Sequence, residues 1–538
     1  MAESPLPESL VVEKQSRVKV WGRTVSLMMV LTLLGQLLAF ARETAVAAKF
    51  GAGEITDAFF LAIVLPNALL LIIQNGLMMA VVPILADIFT LKGEEAAWRV
   101  TSNVINLSLI ITLFLGGVLV IGADLIILIL APTISPESHI LAVRMLRLLA
   151  PVGLLGGLVS ILTGILNVYR VYVLPTLFGL VMNVSMIAGT LLLANRFSAY
   201  ALVIATLVGY LIQLFILVWP LLKVQKYSLV IDLKDQVLGK ITQLAWPAIT
   251  ILLFQQIVVV ADRTVASRLG IGNVAALTFA ARLILPASTL LIGPVSTITL
   301  PEMARIAATD NKKRIQELSS KILRYILFVT VPVAVNLLIL SKPIVSLLLE
   351  HGAFTSAATD VTSEVMAFYV LTLLGVTSRE VIVRFLFAHQ ESKIPLYSGF
   401  IRMVVNLVLN VVLARLIGIK GIALANGVAI LLDVIIMTVV LIKRKLLIIQ
   451  TSFFVKIFGA ALVTTLVAYS ISKVTQNQWS AIVTVANLLT TIVLVGIASM
   501  IAYIVSSLLF SITESRILAF TAMNYLKSSL GKIGLSEK

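Results

Sequence analysis

The sequence predicts an all-α polytopic membrane protein with about 14 transmembrane helices, in two six-helix lobes followed by two C-terminal helices. Composition is the first observation behind this prediction: 60% of the residues are hydrophobic and 12% are charged, whereas soluble domains average about 45–50% and about 25%. The second is the length of the apolar runs, many of which reach the roughly 20 residues that span a bilayer as a helix. The third is an internal repeat.

The repeat is a tandem duplication in which each copy covers a little less than half of the chain. The segment Glu43–Gly53 reappears as Asp262–Gly272, with acid, Val-Ala, base and Gly-x-Gly in register; we call the spacing between these two segments the repeat offset. Two later pairs of segments match at the repeat offset to within one residue: residues 83–86 match 301–304, and residues 169–175 match 389–395. Each copy holds an even number of spans, so both copies enter the membrane from the same side. The sequence therefore predicts a parallel repeat, in which two lobes surround a shared site.

Fourteen spans are expected from the apolar runs. In chain order they cover residues 24–48, 57–86, 100–130, 139–168, 172–194, 199–222, 241–267, 273–304, 322–349, 360–388, 396–415, 420–442, 453–472 and 479–510. The implied domains are a cytoplasmic N-terminal tail, a first lobe, a cytoplasmic linker, a second lobe, helices 13 and 14, and a cytoplasmic C-terminal tail. These domains cover residues 1–23, 24–222, 223–240, 241–445, 446–510 and 511–538.

The basic residues predict the orientation. Lys and Arg concentrate on the side of the N-terminal tail, in the linker, in residues 305–324 and in residues 443–445. Because cytoplasmic loops carry the excess of basic residues, both termini are expected in the cytoplasm. This topology accounts for the net charge of +16, so no nucleic-acid partner is expected; membrane lipids are.

Several kinds of chemistry are excluded by residue counts. The chain has no cysteine and only three histidines, His139, His351 and His389, which lie far apart. Disulfides, thiol catalysis, cysteine-ligated metals and a histidine metal cluster are therefore not expected. The loops predicted outside the membrane are all short, too short for a glycan polymerase or ligase centre. The sequence thus favours a transporter over an enzyme, without a cofactor.

Charged residues within the spans predict a site. Such residues cost about 2.5–3.5 kcal/mol each on insertion scales and usually face a cavity. One group comes from spans 1, 2, 7 and 8 and comprises Arg42, Glu43, Asp57, Asp262, Arg263 and Arg282. It is expected either to form an anion site, since arginine pairs well with phosphate, or to hold helices together as ion pairs. Arg379, Glu380 and Arg384 in span 10 form either a cytoplasmic gate or a snorkelling pair.

Carboxamides in spans 11 and 12 predict a second site. Asn406 and Asn410 lie one turn apart on one helix face, Asn426 lies on the next span, and Asp262 on span 7. One carboxylate with several carboxamide oxygens suits a hard cation such as sodium. The alternative is ordinary interhelical hydrogen bonding.

These residues lie in motifs that resemble the MurJ/MviN family, lipid II flippases of the multidrug/oligosaccharidyl-lipid/polysaccharide exporter superfamily. The motifs of the first two helices are Phe40-Ala-Arg-Glu43, Phe50-Gly-Ala-Gly53, Thr56-Asp-Ala-Phe-Phe60, Leu65-Pro-Asn67 and Val82-Pro-Ile-Leu-Ala86. Those of the second half are Ala281-Arg-Leu283, Leu300-Pro301 and His351-Gly-Ala-Phe-Thr355. The resemblance covers the whole chain.

The resemblance implies roles for these residues. Arg42, Asp57 and Arg282 match family cavity residues that hold a lipid diphosphate, and helices 13 and 14 would form a groove for the polyprenyl tail. Asp262 and the three asparagines resemble a sodium site of some members, with Asn410 in place of a carboxylate. The family's other helix-1 and helix-2 arginines fall at Gln36 and Leu70.

The expected function is therefore alternating-access flipping of lipid II from the inner to the outer leaflet by a monomer, coupled to membrane potential, sodium or protons. Loss of the arginines at Gln36 and Leu70 favours one alternative, a flippase for another undecaprenyl-linked polysaccharide unit. A cation-coupled multidrug exporter is a further alternative, although such exporters usually stop at twelve helices.

Overall fold

The computed structural model describes residues 8–222, 227–307, 312–388, 391, 393–478 and 484–517. These residues form nineteen helices and no strand. Fourteen helical stretches are long and apolar enough to span a membrane, which confirms the prediction of an all-α polytopic membrane protein. The chain divides into two compact units, Met1–Leu253 and Phe254–Lys538.

The first unit contains ten whole helices and the start of an eleventh. They are α1 (Glu8–Phe50), α2 (Glu54–Ala62), α3 (Val64–Lys92), α4 (Glu94–Ile121), α5 (Ala123–Leu130), α6 (Pro136–Leu149), α7 (Pro151–Val168), α8 (Val173–Thr176), α9 (Phe178–Phe197), α10 (Tyr200–Leu221) and α11 (Gln236–Ser267). The unit boundary falls inside α11.

The second unit contains the rest of α11 and eight further helices. They are α12 (Asn273–Ala307), α13 (Lys312–Ile339), α14 (Ser341–Leu349), α15 (Ser356–Ala388), α16 (Lys393–Ile417), α17 (Ile419–Lys443), α18 (Thr451–Gln478) and α19 (Val485–Leu509). Helices α18 and α19 pack on each other and on α13, where Phe328, Phe453, Ile457 and Tyr503 share a buried cluster.

Five of the expected spans are pairs of shorter helices. The interruptions fall at Ile63, Gly122, Ala150, Leu177 and Leu340, in the spans 57–86, 100–130, 139–168, 172–194 and 322–349. The third interruption has a local cause, because Pro151 lacks a backbone N–H and is favoured at the first position of a new helix. The interruption at Gly122 has a counterpart in the second unit, where α13 ends and α14 begins around Leu340. Leu340 follows Gly122 by the repeat offset to within a residue.

The packing within each unit repeats as well. In the first unit α3 packs on α7 and α9 on α10; in the second, α12 packs on α15 and α16 on α17. The turn between α9 and α10 contains Ser198, which has a positive φ of 48°, and the turn between α16 and α17 contains Gly418, with a φ of 68°. These two positions correspond under the repeat offset, to within a residue. The two copies thus keep the same turn, although one uses a serine in a conformation that favours glycine.

In each copy of the repeat, the segment that follows the sixth span is hydrogen-bonded to the third span of the same copy. We call residues 227–232 the first strap and residues 445–450 the second strap. Ser102 Oγ on α4 accepts a hydrogen bond from Ser228 N at 3.1 Å, and Ser320 Oγ on α13 accepts one from Ile448 N at 3.0 Å. The two serines occupy corresponding positions of the two copies, so the duplicated scaffold includes the straps.

Candidate substrate and cation sites

Four polar side chains of the second unit meet at one point. Asp262 near the end of α11 accepts hydrogen bonds from Asn410 Nδ2 on α16 at 2.6 Å and from Asn426 Nδ2 on α17 at 2.8 Å. Asn406, one turn from Asn410, accepts from it at 3.0 Å and donates to Asn426 Oδ1 at 3.2 Å. Asp262, Asn406 and Asn410 are buried. We call these four residues the Asp262 cluster.

The Asp262 cluster has the chemistry of a hard-cation site. Asn410 Oδ1 is buried and has no hydrogen-bond partner among the described residues. When a carboxamide group rotates by 180°, its oxygen takes the position that its nitrogen occupied. Asn410 and Asn426 can therefore donate to the Asp262 carboxylate, as they do here, or turn their oxygen atoms, together with that of Asn406, toward a small cation beside it. What the cluster binds stays a prediction.

A buried ion cluster lies on α15, α16 and α17. Asp433 of α17 is fully buried; its Oδ2 lies 2.8 Å from Arg379 Nε of α15 and 3.9 Å from Arg402 Nη1 of α16. Arg379 thus pairs with another helix, whereas Glu380 lies 3.5 Å from Arg384 in a partly exposed pair on one helix. A gating role for Arg379 and Glu380 stays a prediction.

Asp433 and Arg402 are functional candidates that reasoning from the sequence missed. Each is an ionisable residue within a long apolar run, which was the available signal. Arg379 was matched instead with Glu380 and Arg384, which are close to it in sequence. The pairing across three helices depends on packing, which the pattern of one helix does not reveal.

The first unit holds two of the predicted substrate residues, Arg42 and Asp57, together with Glu43. Arg42 Nε donates to the carboxylate of the adjacent Glu43 at 3.0 Å, and Glu43 is buried. Asp57 lies in the first turn of α2 and is buried. The start of α2 is fixed by Thr56 Oγ1, which accepts from Gly53 N at 3.0 Å. Carboxylates near a helix N-terminus are favoured by the helix dipole.

The second unit holds the other predicted charges. Arg263 and Arg282 are both partly buried, and Arg263 lies within electrostatic range of Arg282, Tyr369 and Asp262. Two guanidinium groups within electrostatic range of each other repel, and an anion near both would relieve that repulsion. That these residues share one cavity with Arg42 and Asp57 stays a prediction.

The positions at which the family has further arginines differ from each other. Leu70 is buried, and a Cβ at Gly156 would lie 2.1 Å from Leu70 Cδ1. Position 70 is therefore filled by apolar packing between α3 and α7. Gln36 is partly buried on α1. Neither residue contributes a positive charge.

These features define a class of protein. Fourteen apolar helices in a duplicated scaffold, with ionisable residues buried inside each unit, are typical of a membrane transporter. A model of the lipid II flippase MurJ family matches residues 46–490. The chain therefore belongs to the lipid II flippase MurJ family, which confirms the predicted family and the prediction of a transporter rather than an enzyme.

Individual relatives agree with this assignment. The lipid II flippase MurJ of Burkholderia cenocepacia is 28% identical over 80% of this chain and 86% of its own length. The probable lipid II flippase MurJ of Buchnera aphidicola is 28% identical over 82% and 87%. The chain is accordingly a multi-pass protein of the bacterial inner membrane.

Solved structures show the same fold. A lipid II flippase MurJ in an inward closed conformation has a TM-score of 0.76 and 26% identity, covering 92% of this chain and 99% of that one. An inward-facing multidrug resistance transporter of the MATE family has a TM-score of 0.65 and 16% identity, covering 76% and 94%. The second likeness concerns the fold alone.

Proposed function

We propose that this protein moves lipid II, the undecaprenyl-diphosphate-linked peptidoglycan precursor, from the inner to the outer leaflet by alternating access. The observation that carries the proposal is the family match over residues 46–490, together with a MurJ structure nearly all of which aligns with this chain. The likeness to multidrug transporters is limited to the fold, so it gives no support to drug export.

Arg42 and Arg282 are proposed to hold the diphosphate. Both are partly buried arginines in membrane-spanning helices, where a guanidinium stays charged and pairs two phosphate oxygens. The adjacent Glu43 accepts from both Nε and Nη2 of Arg42 and holds the side chain in place, while the N–H groups that do not contact Glu43 would bind the anion. Asp57 would orient an arginine or act as a gate.

Helices α18 and α19 are proposed to bind the polyprenyl tail. They pack on α13 of the second unit and expose large apolar side chains, among them Phe458, Leu462 and Leu466. An isoprenoid chain is wholly apolar, so such a surface at the bilayer suits it. The diphosphate and the tail would then contact different parts of the chain.

The Asp262 cluster is proposed to couple transport to sodium or protons. Its four residues are supplied by three helices of one unit, so a cation there would link α11, α16 and α17. The counterpart of Asp262 in the first unit is Glu43, which accepts a hydrogen bond from the preceding Arg42. Asp262 is preceded by Ala261 and followed by Arg263, and it accepts hydrogen bonds from the carboxamides of Asn410 and Asn426. The carboxamide oxygens favour cation binding in the second unit. We further infer that the protein works as a monomer with both termini in the cytoplasm.

A second candidate function rests on Gln36 and Leu70. Neither residue carries the positive charge of the family pattern, which favours a flippase for a related undecaprenyl-linked unit. Accumulated lipid-linked intermediates in a strain lacking this protein distinguish the two: lipid II supports the first proposal, and a different lipid-linked glycan the second.

The function is tested by complementation in a strain depleted of its native lipid II flippase. We expect the wild-type chain to restore growth and the exposure of lipid II in the outer leaflet. Arg42→Ala and Arg282→Ala are each expected to reduce flipping at least tenfold, because a lost charged hydrogen bond to phosphate costs about 1.5–3 kcal/mol.

Two matched controls separate charge from position. Arg196 and Arg415 are exposed arginines at the ends of α9 and α16, so their alanine variants are expected to flip normally. If wild type reaches the membrane without restoring growth, the lipid II proposal is wrong. Normal flipping by stable Arg42→Ala and Arg282→Ala variants would remove the phosphate assignment alone.

A further inference from the structure

One face of α16 carries a column of polar side chains. Arg402, Asn406 and Asn410 follow at intervals of four residues, which places them on one side of the helix over about 12 Å. Asn406 and Asn410 belong to the Asp262 cluster. Arg402 lies one turn further along the same face, so the column joins the Asp262 cluster to the ion cluster of Asp433.

The ion cluster has an excess of positive charge. Asp433 is fully buried, and its Oδ2 faces both Arg379 and Arg402. The Arg379 contact is a hydrogen bond of 2.8 Å, whereas Arg402 at 3.9 Å is only an ion pair. Asp433 Oδ1 is buried without a hydrogen-bond partner among the described residues. Arg379 is therefore the fixed partner of Asp433, and Arg402 is the looser one.

Arg402 stands between two carboxylates. Besides its contact with Asp433, it lies within electrostatic range of Asp262. Its side chain is 15% exposed, so it is largely removed from water and its charge is weakly screened. A positive charge in this place attracts the Asp262 carboxylate and repels any other cation that approaches it.

The first unit has neither the asparagines nor the ion cluster at the corresponding positions. When the copies are aligned on their turns at Ser198 and Gly418, the three asparagines correspond to Met186, Thr190 and Thr206. In the same alignment, the three members of the ion cluster correspond to Val159, Met182 and Gln213. The first unit keeps the helix packing of the duplicated scaffold with uncharged residues at these positions. The ion cluster and the carboxamides thus occur together in one copy, which favours a joint role.

We propose that Arg402 is a positioning residue, a built-in counter-charge that competes with a bound cation for Asp262 and is held back by Asp433. The proposal rests on the proposed cation role of the Asp262 cluster. Arg379 fixes Asp433, and Asp433 draws Arg402 away from Asp262. The relative attraction of Asp262 and Asp433 for Arg402 then sets the affinity of the Asp262 cluster for a cation.

The proposal predicts opposite effects for two substitutions. Arg402→Met installs the residue of the first unit and removes the repulsion, so sodium affinity should rise about fivefold or more, a typical coupling between neighbouring sites. Asp433→Asn releases Arg402 toward Asp262, so sodium affinity should fall by a similar factor. A merely structural role would weaken folding in both variants without moving sodium affinity in opposite directions.

The test uses the full-length protein purified in detergent. Melting temperatures are measured as sodium chloride replaces choline chloride at constant ionic strength, and the sodium Kd follows from the stabilisation of the bound state. Arg402→Lys keeps the charge and should show the wild-type Kd. The double variant Arg402→Met/Asp433→Asn should behave like Arg402→Met, because Asp433 acts only through Arg402.

Each outcome is decisive. The expected pattern is a lower Kd for Arg402→Met, an unchanged Kd for Arg402→Lys, and no further effect of Asp433→Asn in the double variant. An unchanged Kd in Arg402→Met, or equal shifts in the Met and Lys variants, overturns the proposal while leaving the cation site standing. If wild type and Asp262→Asn are equally insensitive to sodium, the cation site is wrong and the role of Arg402 fails with it. Lipid II flipping is decided separately by complementation.

Discussion

At the scale of single residues, position 70 shows how the structure changes the interpretation of a family resemblance. The family pattern places an arginine there, and the chain has a leucine that packs against Gly156. Gln36, the other departure, is partly buried and polar. The two departures therefore have different consequences: one position is closed by apolar packing, and the other still accepts a polar side chain.

This difference gives a prediction for restoring the family arginines. Leu70→Arg should lower the melting temperature of the purified protein strongly, because an unpaired charge would enter an apolar contact at a cost of about 2.5–3.5 kcal/mol. Gln36→Arg is the matched control and should leave folding nearly unchanged. The measurement is thermal unfolding in detergent, with yield in the membrane as a second readout. A Leu70→Arg variant as stable as Gln36→Arg would show that position 70 faces an open, hydrated cavity.

How far the site could be predicted from the sequence also depends on single residues. Asn406 and Asn410 stand four apart in an apolar span, so helix geometry alone places them on one face, and the structure brings them to Asp262 and Asn426. Arg379 has two charged neighbours on its own helix, and nothing in their spacing shows that it reaches Asp433 instead. Local periodicity reveals what shares a helix face; pairing between helices depends on packing.

At the scale of elements, the two straps are the least expected feature. Their sequences are unlike each other, and the linker around the first indicates only a cytoplasmic connection. In the structure Asn103 of α4 donates through Nδ2 to Asp232 O at 2.8 Å and accepts from Asp232 N at 2.9 Å. One side chain thus satisfies both backbone groups of a residue outside any helix, as a neighbouring strand would.

Removing that side chain should release the first strap. Asn103→Leu leaves two backbone groups without partners, at a local cost of about 1–3 kcal/mol for each group that stays buried. We expect amide hydrogen exchange in residues 227–234 to become at least tenfold faster, as measured by mass spectrometry on the intact protein. Lys321→Leu, at the equivalent exposed position of α13, is the control and should leave exchange unchanged. Equal exchange in Asn103→Leu and wild type would show that the helix does not hold the strap.

At the scale of the whole molecule, the duplication keeps the scaffold and changes the charges. The turns at Ser198 and Gly418, the interruptions at Gly122 and Leu340 and the straps all recur at the repeat offset, to within a residue. The carboxylates near the ends of α1 and α11 recur too, as Glu43 and Asp262. Their partners do not recur: Glu43 has the adjacent Arg42, whereas Asp262 has asparagines.

This asymmetry predicts that the chain binds one coupling cation rather than two, and that a single substitution abolishes it. Asp262 is already followed by Arg263, and Ala261→Arg adds an arginine before it, in the place that Arg42 has relative to Glu43. Ala261 is only partly buried, so an arginine there is expected to be tolerated with its guanidinium near the carboxylate. The new guanidinium would neutralise Asp262, so sodium should no longer raise the melting temperature.

Ala261→Met is the control for this last prediction, because it adds similar bulk without charge and should keep the sodium response. Both variants are compared with wild type in sodium chloride and in choline chloride, where a ligand present at about 100 times its Kd stabilises the folded state by about 2.7 kcal/mol. A full sodium response in Ala261→Arg would mean that Asp262 is not where the cation binds, and the contrast between the two units would then need another explanation. Loss of the response in Ala261→Arg alone would show that an arginine immediately before the carboxylate, unlike Arg263 after it, determines which copy of the duplicated carboxylate takes a cation.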